Sequence, residues 1–486
     1  MLSKEINRAD IRQKSKQRHL TEETKKLIIF IVIMVGVFLS SFITPPEGLE
    51  SQGLRMLFIA LAAAILWMTE AIPIGVTALV IILLQALYGI TPLTNGLALI
   101  AHPVNAVVLV GYLLAGALVS SGMDKRLSLT IISKMGEKTS RLMLGIMFVT
   151  AFLSMWMSNT ATTAIMVPIA AGILTMAGAK PLKSNLGKAL FIGIAFSANI
   201  GGMGTPTGTP ANPIAIALLH SLAGIQLSFL DWMVRALPLV IVLLPVSWLV
   251  LLKVYPLEIK VVEGGLDAVK KQLKDMGPLK NTEKKVMILF SSAIFLWLLD
   301  SFIPLPKDWI YIVAVFLTII LVTPKIGFMT WKHAQGLIGW EVLFLVGGGL
   351  SMGAGLKATG TIDWIAGLLS SSLGQMPEGL AMAVITAATG LGITVFCSLS
   401  GTATTFVPIA IVLALNFGWD PIAFAVAAGL ASSFAFLLPA NAAPNAVAYG
   451  SGYFKTLDMF KAGAIMIIFS IVIQGVLSGF VLPFIF

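Results

Sequence analysis

Ser158-Asn159-Thr160-Ala161-Thr162-Thr163 and Ser400-Gly401-Thr402-Ala403-Thr404-Thr405 are short hydroxyl-rich stretches, each set between long apolar arms. The arms are Leu142–Met157 and Ala161–Met176 around the first, Leu380–Leu399 and Ala403–Leu415 around the second. A straight membrane span would carry lipid-compatible side chains at these points. A hairpin that enters the bilayer and turns back would place them inside the protein, where non-helical backbone is tolerated because it is buried or lines a cavity. Both stretches therefore read as tips of re-entrant helical hairpins that meet in a polar cavity.

Working outward, the two stretches belong to a longer internal repeat. Leu109-Val110-Gly111-x-x-Leu114 returns as Leu345-Val346-Gly347-x-x-Leu350, Val167-Pro168-Ile169-Ala170 as Val407-Pro408-Ile409-Ala410, and Pro206-x5-Asn212 as Pro439-x5-Asn445. The order is the same in both halves. The last pair falls in segments too rich in Gly, Pro and Asn to continue a helix, Asn199 to Asn212 and Pro439 to Asn445, which predicts two broken helices. Hairpins and broken helices in corresponding positions are the usual mark of an inverted-topology transporter repeat, with the ligand site near the bilayer midplane.

Composition agrees with a membrane protein. Of 486 residues, 57% are apolar and 11% charged, against about 25% charged in soluble domains. Apolar runs close to the roughly 18–20 residues that cross a bilayer recur throughout: Leu27–Ile43, Met56–Met68, Ile72–Tyr88, Val104–Ser120 and Ala236–Leu252 in the first half, with shorter pieces at Lys188–Ser197 and Pro213–Leu222. In the second half come Val286–Phe302, Trp309–Val322, Glu341–Gly355, Ala423–Leu438 and Ala462–Phe484.

The formal charge of +10 collects in residues 1–26 and in the segment 253–285. That distribution suits a positive-inside bias rather than nucleic-acid binding. The expected organisation is a cytoplasmic N-terminal arm (1–26), a first half (27–252) with its tip near 158–160, a charged cytoplasmic connector (253–285), and a second half (286–486) with its tip near 400–402. Leu27–Ile43 lacks a small-residue cleavage site and reads as an uncleaved first span. The expected location is a bacterial cell membrane. Cys397 is a lone cysteine, and His19, His102, His220 and His333 are spread along the chain, so neither disulfides nor zinc is expected to hold the fold.

The chemistry follows from the tips. The second arm of each hairpin starts just past its motif, so free N–H groups and the positive end of the helix dipole face the same place as the Ser, Asn and Thr side chains. Two such donor clusters related by a pseudo-dyad suit an anion with a carboxylate at each end. Unwound carbonyls at the breaks can coordinate sodium. Single features have plainer accounts: close packing for Gly201, Gly202 and Gly204, and kinks for Pro168 and Pro408. Glu70 is a rare acid in an apolar region and is read as structural. His102 is read as interfacial, and Lys357 as facing either water or the cavity.

Thr69-Glu70-Ala71-Ile72-Pro73, Ser158-Asn159-Thr160, the segment Asn199 to Asn212, and Ser433-x-x-Phe436-x-x-Pro439 with Pro444-Asn445 together resemble the divalent-anion:sodium symporter family from about Met56 onward. The resemblance implies a homodimer, each protomer an all-α polytopic protein with a scaffold domain and a transport domain that moves as an elevator. It implies substrate contacts from Ser158, Asn159, Thr160, Ser400, Gly401 and Thr402, with Thr205, Pro206, Pro439 and Asn445 from the breaks. It also implies a sodium site around Ser158, Asn159, Gly201 and Gly202. Aligned on its Ser-x-Thr, the second motif carries Gly401 where the family has Asn. On that basis the expected activity is exchange of C4 or C5 dicarboxylates (succinate, malate, fumarate, 2-oxoglutarate), with sodium-coupled symport of dicarboxylate, citrate or sulfate as the alternative. A membrane-embedded hydrolase would need a nucleophile with a base or metal nearby, which the motifs lack. A channel suits paired broken elements less well than alternating access does.

Overall fold

In the computed structural model, residues 21, 23–262, 264–373 and 376–478 are described. Most of the basic arm 1–26, with His19 and Glu22, and the end of the expected last span lie outside the described residues. The first half contains α1 (Glu23–Phe42), α2 (Ser51–Thr69), α3 (Ile74–Leu87), α4 (Leu93–Ala98), α5 (Val104–Ser121), α6 (Met123–Ile132), α7 (Thr139–Ser154), α8 (Asn159–Met176), α9 (Asn185–Gly202), α10 (Ala211–Ala223) and α11 (Phe229–Val254). After α12 (Gly265–Asp275) the second half runs α13 (Asn281–Leu299), α14 (Trp309–Val322), α15 (Trp331–Leu337), α16 (Trp340–Ala358), α17 (Thr361–Leu373), α18 (Glu378–Phe396), α19 (Leu399–Phe417), α20 (Pro421–Ala431), α21 (Ala443–Tyr449) and α22 (Thr456–Val476). Among the described residues, nine helices are long and apolar enough to cross a membrane.

The helices of α2–α11 and α13–α22 follow the same order, so that hairpin α7–α8 answers hairpin α18–α19 and the broken pair α9–α10 answers α20–α21. Contacts are exchanged between the halves: α3 packs on α16 as α14 packs on α5, α10 on α19 as α21 on α8, and α11 meets its counterpart α22. Neither half closes a core alone. Close approach at the α3–α16 seam rests on a missing side chain, since a Cβ on Gly348 would stand 2.4 Å from the Ala78 Cβ; small residues serve this purpose where lipid gives helices no hydrophobic drive to associate.

Helices α7–α11 and α18–α22 pack chiefly with one another, and α2–α5 with α13–α16 form a second group. The groups touch where α10 lies on α16 and where α2 and α16 reach α19.

Several boundaries differ from the sequence expectation. Helix α9 continues through Asn199–Gly202, so the first break starts at Met203. Helix α20 stops at Ala431 instead of running to Leu438, and beyond it the carbonyls of Ala435 and Leu438 accept side-chain amides. Amphipathic α6 and α17 were too short or too charged to read as spans. The segment 253–285 is structured: Lys253 ends α11, α12 forms within it, and α13 starts at Asn281. Arg126 of α6 anchors it, bonding Glu283 Oε1 at 2.9 Å and the carbonyls of Gly277 and Met276 at 2.9 and 3.3 Å.

Candidate functional site

Each hairpin turns on a serine. Ser158 caps α8, its Oγ accepting the Ala161 N–H at 3.3 Å, while Thr162 N–H bonds Ser158 O. Ser398 caps α19 in the same way, accepting from Gly401 N at 3.2 Å, with Thr402 N–H on Ser398 O. The cap leaves the N–H groups of Asn159 and Thr160, and of Leu399 and Ser400, without intrahelical partners. Pro168 and Pro408 stand at the same distance from their caps.

The structural register therefore pairs Ser158-Asn159-Thr160 with Ser398-Leu399-Ser400. This corrects the alignment on Ser400-Gly401-Thr402: Gly401 answers Ala161, and Leu399 stands opposite Asn159. The similarity of the two Ser-x-Thr-Ala-Thr-Thr strings concealed a two-residue offset that the spacing to the prolines reveals.

The breaks are held by matching asparagines. Asn212 Nδ2 donates to Gly202 O at 2.8 Å and Thr205 O at 2.6 Å; Asn445 Nδ2 donates to Ala435 O at 2.7 Å and Leu438 O at 3.1 Å. These are equivalent carbonyls in the two copies. Each amide satisfies backbone groups that a broken helix leaves bare at membrane depth. Asn199 joins the copies, donating to Asn445 Oδ1 at 2.9 Å and Ala435 O at 3.2 Å.

Tips and breaks together enclose a cavity of about 490 Å³ lined by Ser158, Asn159, Thr160, Ser398, Leu399, Ser400, Pro206 to Pro210, and Pro439 with its neighbours. Ile74 of α3, Val108, Gly111 and Tyr112 of α5 and Val342 of α16 line the facing side, with Pro213 and Cys397 beside the first break and the second tip. Of the residues expected in the site, Ser158, Asn159, Thr160, Ser400, Pro206 and Pro439 line this cavity. Gly401, Thr402, Thr205 and Asn445 do not: Thr402 Oγ1 bonds Ser398 O at 2.8 Å, Thr205 Oγ1 bonds Met155 O, and Asn445 holds its break. Sequence reasoning missed Ser398, Thr207 and Thr209; only for Ser398 was there a signal, its spacing to Pro408.

Glu70 follows α2 in the left-handed region, at φ 46°, and is exposed at the cavity mouth. It lies on a turn and not within a span. A shallower hollow lined by Glu23, Lys26, Glu341 and Ala71 to Pro73 adjoins there, sharing Glu70 and Ile74 with the cavity. Lys357 is exposed and does not line the cavity; its Nζ donates to Leu222 O at the end of α10, at 2.5 Å. The histidines are less scattered than the sequence suggests, since His102 and His220 bring their ring centroids to 6.4 Å. Two rings make a pair, and no group of three or more metal-ligating residues occurs among the described residues.

Beside the first tip is an oxygen-rich nook. The Asn159 amide meets Ser154 Oγ at 2.7 Å, Ala198 O at 3.2 Å and Gly208 O at 3.3 Å. With its nitrogen toward them it donates to all three; with its oxygen toward them, four oxygens converge. Converging carbonyl, amide and hydroxyl oxygens are the donor set of a hard cation. The nook exists because Gly202 has no side chain: a Cβ there would stand 2.3 Å from Asn159 Oδ1. Gly201 packs against Ala151 of α7, and the carbonyls of Gly201 and Gly202 are taken by Gly204 N and Asn212 Nδ2. Asn159 is thus the expected sodium-site residue whose amide faces this nook, where Ser154 Oγ also donates to Ala198 O at 2.8 Å.

Residues 21–482 match the family described as the sodium:sulfate symporter transmembrane region. The chain is 30% identical to the sodium-dependent dicarboxylate transporter SdcS of Staphylococcus saprophyticus over 98% of this chain and 97% of that protein. It is 32% identical to the SdcS of Staphylococcus aureus strain USA300 over 90% and 88%. Among solved structures it resembles the Alcanivorax borkumensis YdaH transporter at a TM-score of 0.52 and 14% identity, covering 95% of this chain and 98% of that one. Neisseria gonorrhoeae MtrF is similar at 0.52 and 12%, covering 94% of each; both likenesses concern the fold.

Proposed function

The chain belongs to the sodium:sulfate symporter family of multi-pass membrane transporters, and from that premise we propose that it carries a C4 or C5 dicarboxylate by sodium-coupled symport. The observation that carries the proposal is the cavity between two capped helix starts. One carboxylate of a succinate-sized anion is received by the Ser158–Thr160 tip and the other by Ser398 and Ser400, each tip offering hydroxyls and free N–H groups. A cavity of about 490 Å³ is ample for such an anion and small enough to exclude a macromolecule. Sodium would be held by Asn159 Oδ1, Ser154 Oγ and the carbonyls of Ala198 and Gly208, where its charge offsets that of the anion.

Transport would proceed by movement of the α7–α11 and α18–α22 body, which carries both tips, past the α2–α5 and α13–α16 body, an elevator built on an inverted repeat. The exchange of contacts between halves supports the repeat. Homodimeric assembly and a cytoplasmic N-terminus, with 253–285 on the same side, complete the proposal; the basic arm and the resemblance support them. The names of the SdcS relatives favour sodium coupling over the exchange expected from sequence, and that expectation had leaned on Gly401, which the register removes from the tip. Sodium-independent exchange stays as the second reading because Leu399 takes the Asn position at the second tip.

The test is uptake of labelled succinate into proteoliposomes, empty or preloaded with succinate, with and without an inward sodium gradient. Uptake into empty vesicles that requires sodium supports symport. Uptake that requires internal dicarboxylate and ignores sodium makes the protein an exchanger.

A further inference from the structure

We infer that the cation nook is present at the first tip only, and that the second tip has been rebuilt as an apolar contact which binds no cation. The inference rests on the proposed sodium coupling for its first half; the second half follows from the residues at α18–α21 alone.

The pseudo-symmetry allows an atom-by-atom comparison. Asn159 is answered by Leu399, which has no oxygen beyond its backbone. Gly202 is answered by Ala435, as the equivalent bonds from Asn212 and Asn445 establish, and Ala435 carries a methyl where Gly202 leaves room for the Asn amide. Leu399 packs against the small apolar cluster of Ile393, Ala435 and Ala442 and also against the main core. The two changes are matched: an Asn over a Gly on one side, a Leu over an Ala on the other.

The remaining oxygens number one fewer than at the first nook, for want of the Asn amide. Ser154 is answered by Thr394, whose hydroxyl is buried without a partner. Ala198 is answered by Ala431, whose carbonyl accepts the Phe434 N–H at 3.0 Å. At the Gly208 position stands Asn441, whose backbone carbonyl is the counterpart of Gly208 O and whose side-chain amide is spent on its neighbours, accepting Leu438 N–H at 2.8 Å and donating to Ile393 O at 3.4 Å. Without the amide oxygen, a neutral hydroxyl and backbone carbonyls beside the Leu399 side chain do not replace the water that a sodium ion gives up. The second tip keeps its anion-facing part, since Ser398 and Ser400 still line the cavity, and has lost the part behind it.

Sodium-dependent succinate uptake, measured as a function of sodium, reads the number of sites, because a Hill slope does not exceed the number of sites that contribute. The wild type should give a slope of about 1. The pair Asn159→Leu with Gly202→Ala, which gives the first tip the chemistry of the second, should abolish the sodium response of both uptake and thermal stability. The pair Leu399→Asn with Ala435→Gly should steepen the slope toward about 2. A wild-type slope near 2, or a sodium-dependent rise in Tm that survives Asn159→Leu with Gly202→Ala, would overturn the inference. Should wild-type uptake ignore sodium, the proposed coupling fails by itself. The inference is then decided by Leu399→Asn with Ala435→Gly: sodium dependence gained in that variant upholds it, and a variant that folds, transports and still ignores sodium refutes it.

Discussion

Two glycines show how one missing or added group decides the site. A methyl at Gly202 would stand 2.3 Å from Asn159 Oδ1, so Gly202→Ala should displace the amide and cut succinate uptake at least about tenfold, equivalent to about 1.4 kcal/mol, while the purified protein keeps its gel-filtration profile. At Gly401 the nearest atoms to an added Cβ are Ser398 Cβ and Oγ at 3.4 Å, an ordinary contact. Gly401→Asn should therefore leave uptake within about twofold and leave its sodium Hill slope unchanged, because that position is the third helical residue of α19 and not its tip. A steeper sodium slope in Gly401→Asn would reinstate the alignment that the caps of α8 and α19 reject.

At the scale of the element, the broken helices and the connector each depend on one side chain. Asn445 supplies the donors for Ala435 O and Leu438 O and is fully buried. Asn445→Ala removes one donor from each carbonyl and takes the Asn445 Oδ1 acceptor from Asn199, and a loss of about 1–3 kcal/mol should appear as a lower Tm; Asn212→Ala should lower it likewise at the first break. Arg126, with 11% of its side chain exposed against 1% for Glu283, ties α6 to α13 and to the end of α12. Breaking a buried pair from one side costs about 3–5 kcal/mol, so Arg126→Ala should lower Tm and expose the 263–280 segment to protease, with Arg126→Lys rescuing only part because it cannot reach Glu283 and two carbonyls together.

Over the whole molecule, the proposed motion predicts that freezing the seam between the two bodies stops transport. Gly353 of α16 lies against Leu218 of α10, with 2.9 Å from an added Cβ to Leu218 Cδ2, and Lys357 bonds the end of α10 one turn further along. In a Cys397→Ser background, Gly353→Cys with Leu218→Cys should be cross-linked by mercury, lose most succinate uptake and recover it on adding excess thiol. Full uptake by the cross-linked protein would show that α10 and α16 stay together, and the division into moving and fixed bodies would have to be drawn elsewhere.

The apolar runs, the charge distribution and the repeated motifs determined by themselves that the chain is an all-α membrane protein of two related halves with polar tips and breaks, since hydrophobic length and Gly/Pro content act locally. Ser158, Asn159 and Thr160 were legible for the same reason: they sit between apolar arms where only a buried tip accounts for them. The partner tip was misread by two residues because Ser-x-Thr repeats within one helical turn and similarity alone cannot tell a cap from the residues after it. Only the tertiary structure decided that Ser398 is the cap, that Asn445 is spent on its own break, and that Leu399 meets Ile393, Ala435 and Ala442. Those facts depend on which hydrogen-bond donors the folded backbone leaves unpaired and on which side chains share a space, and neither is written in the spacing of residues along the chain.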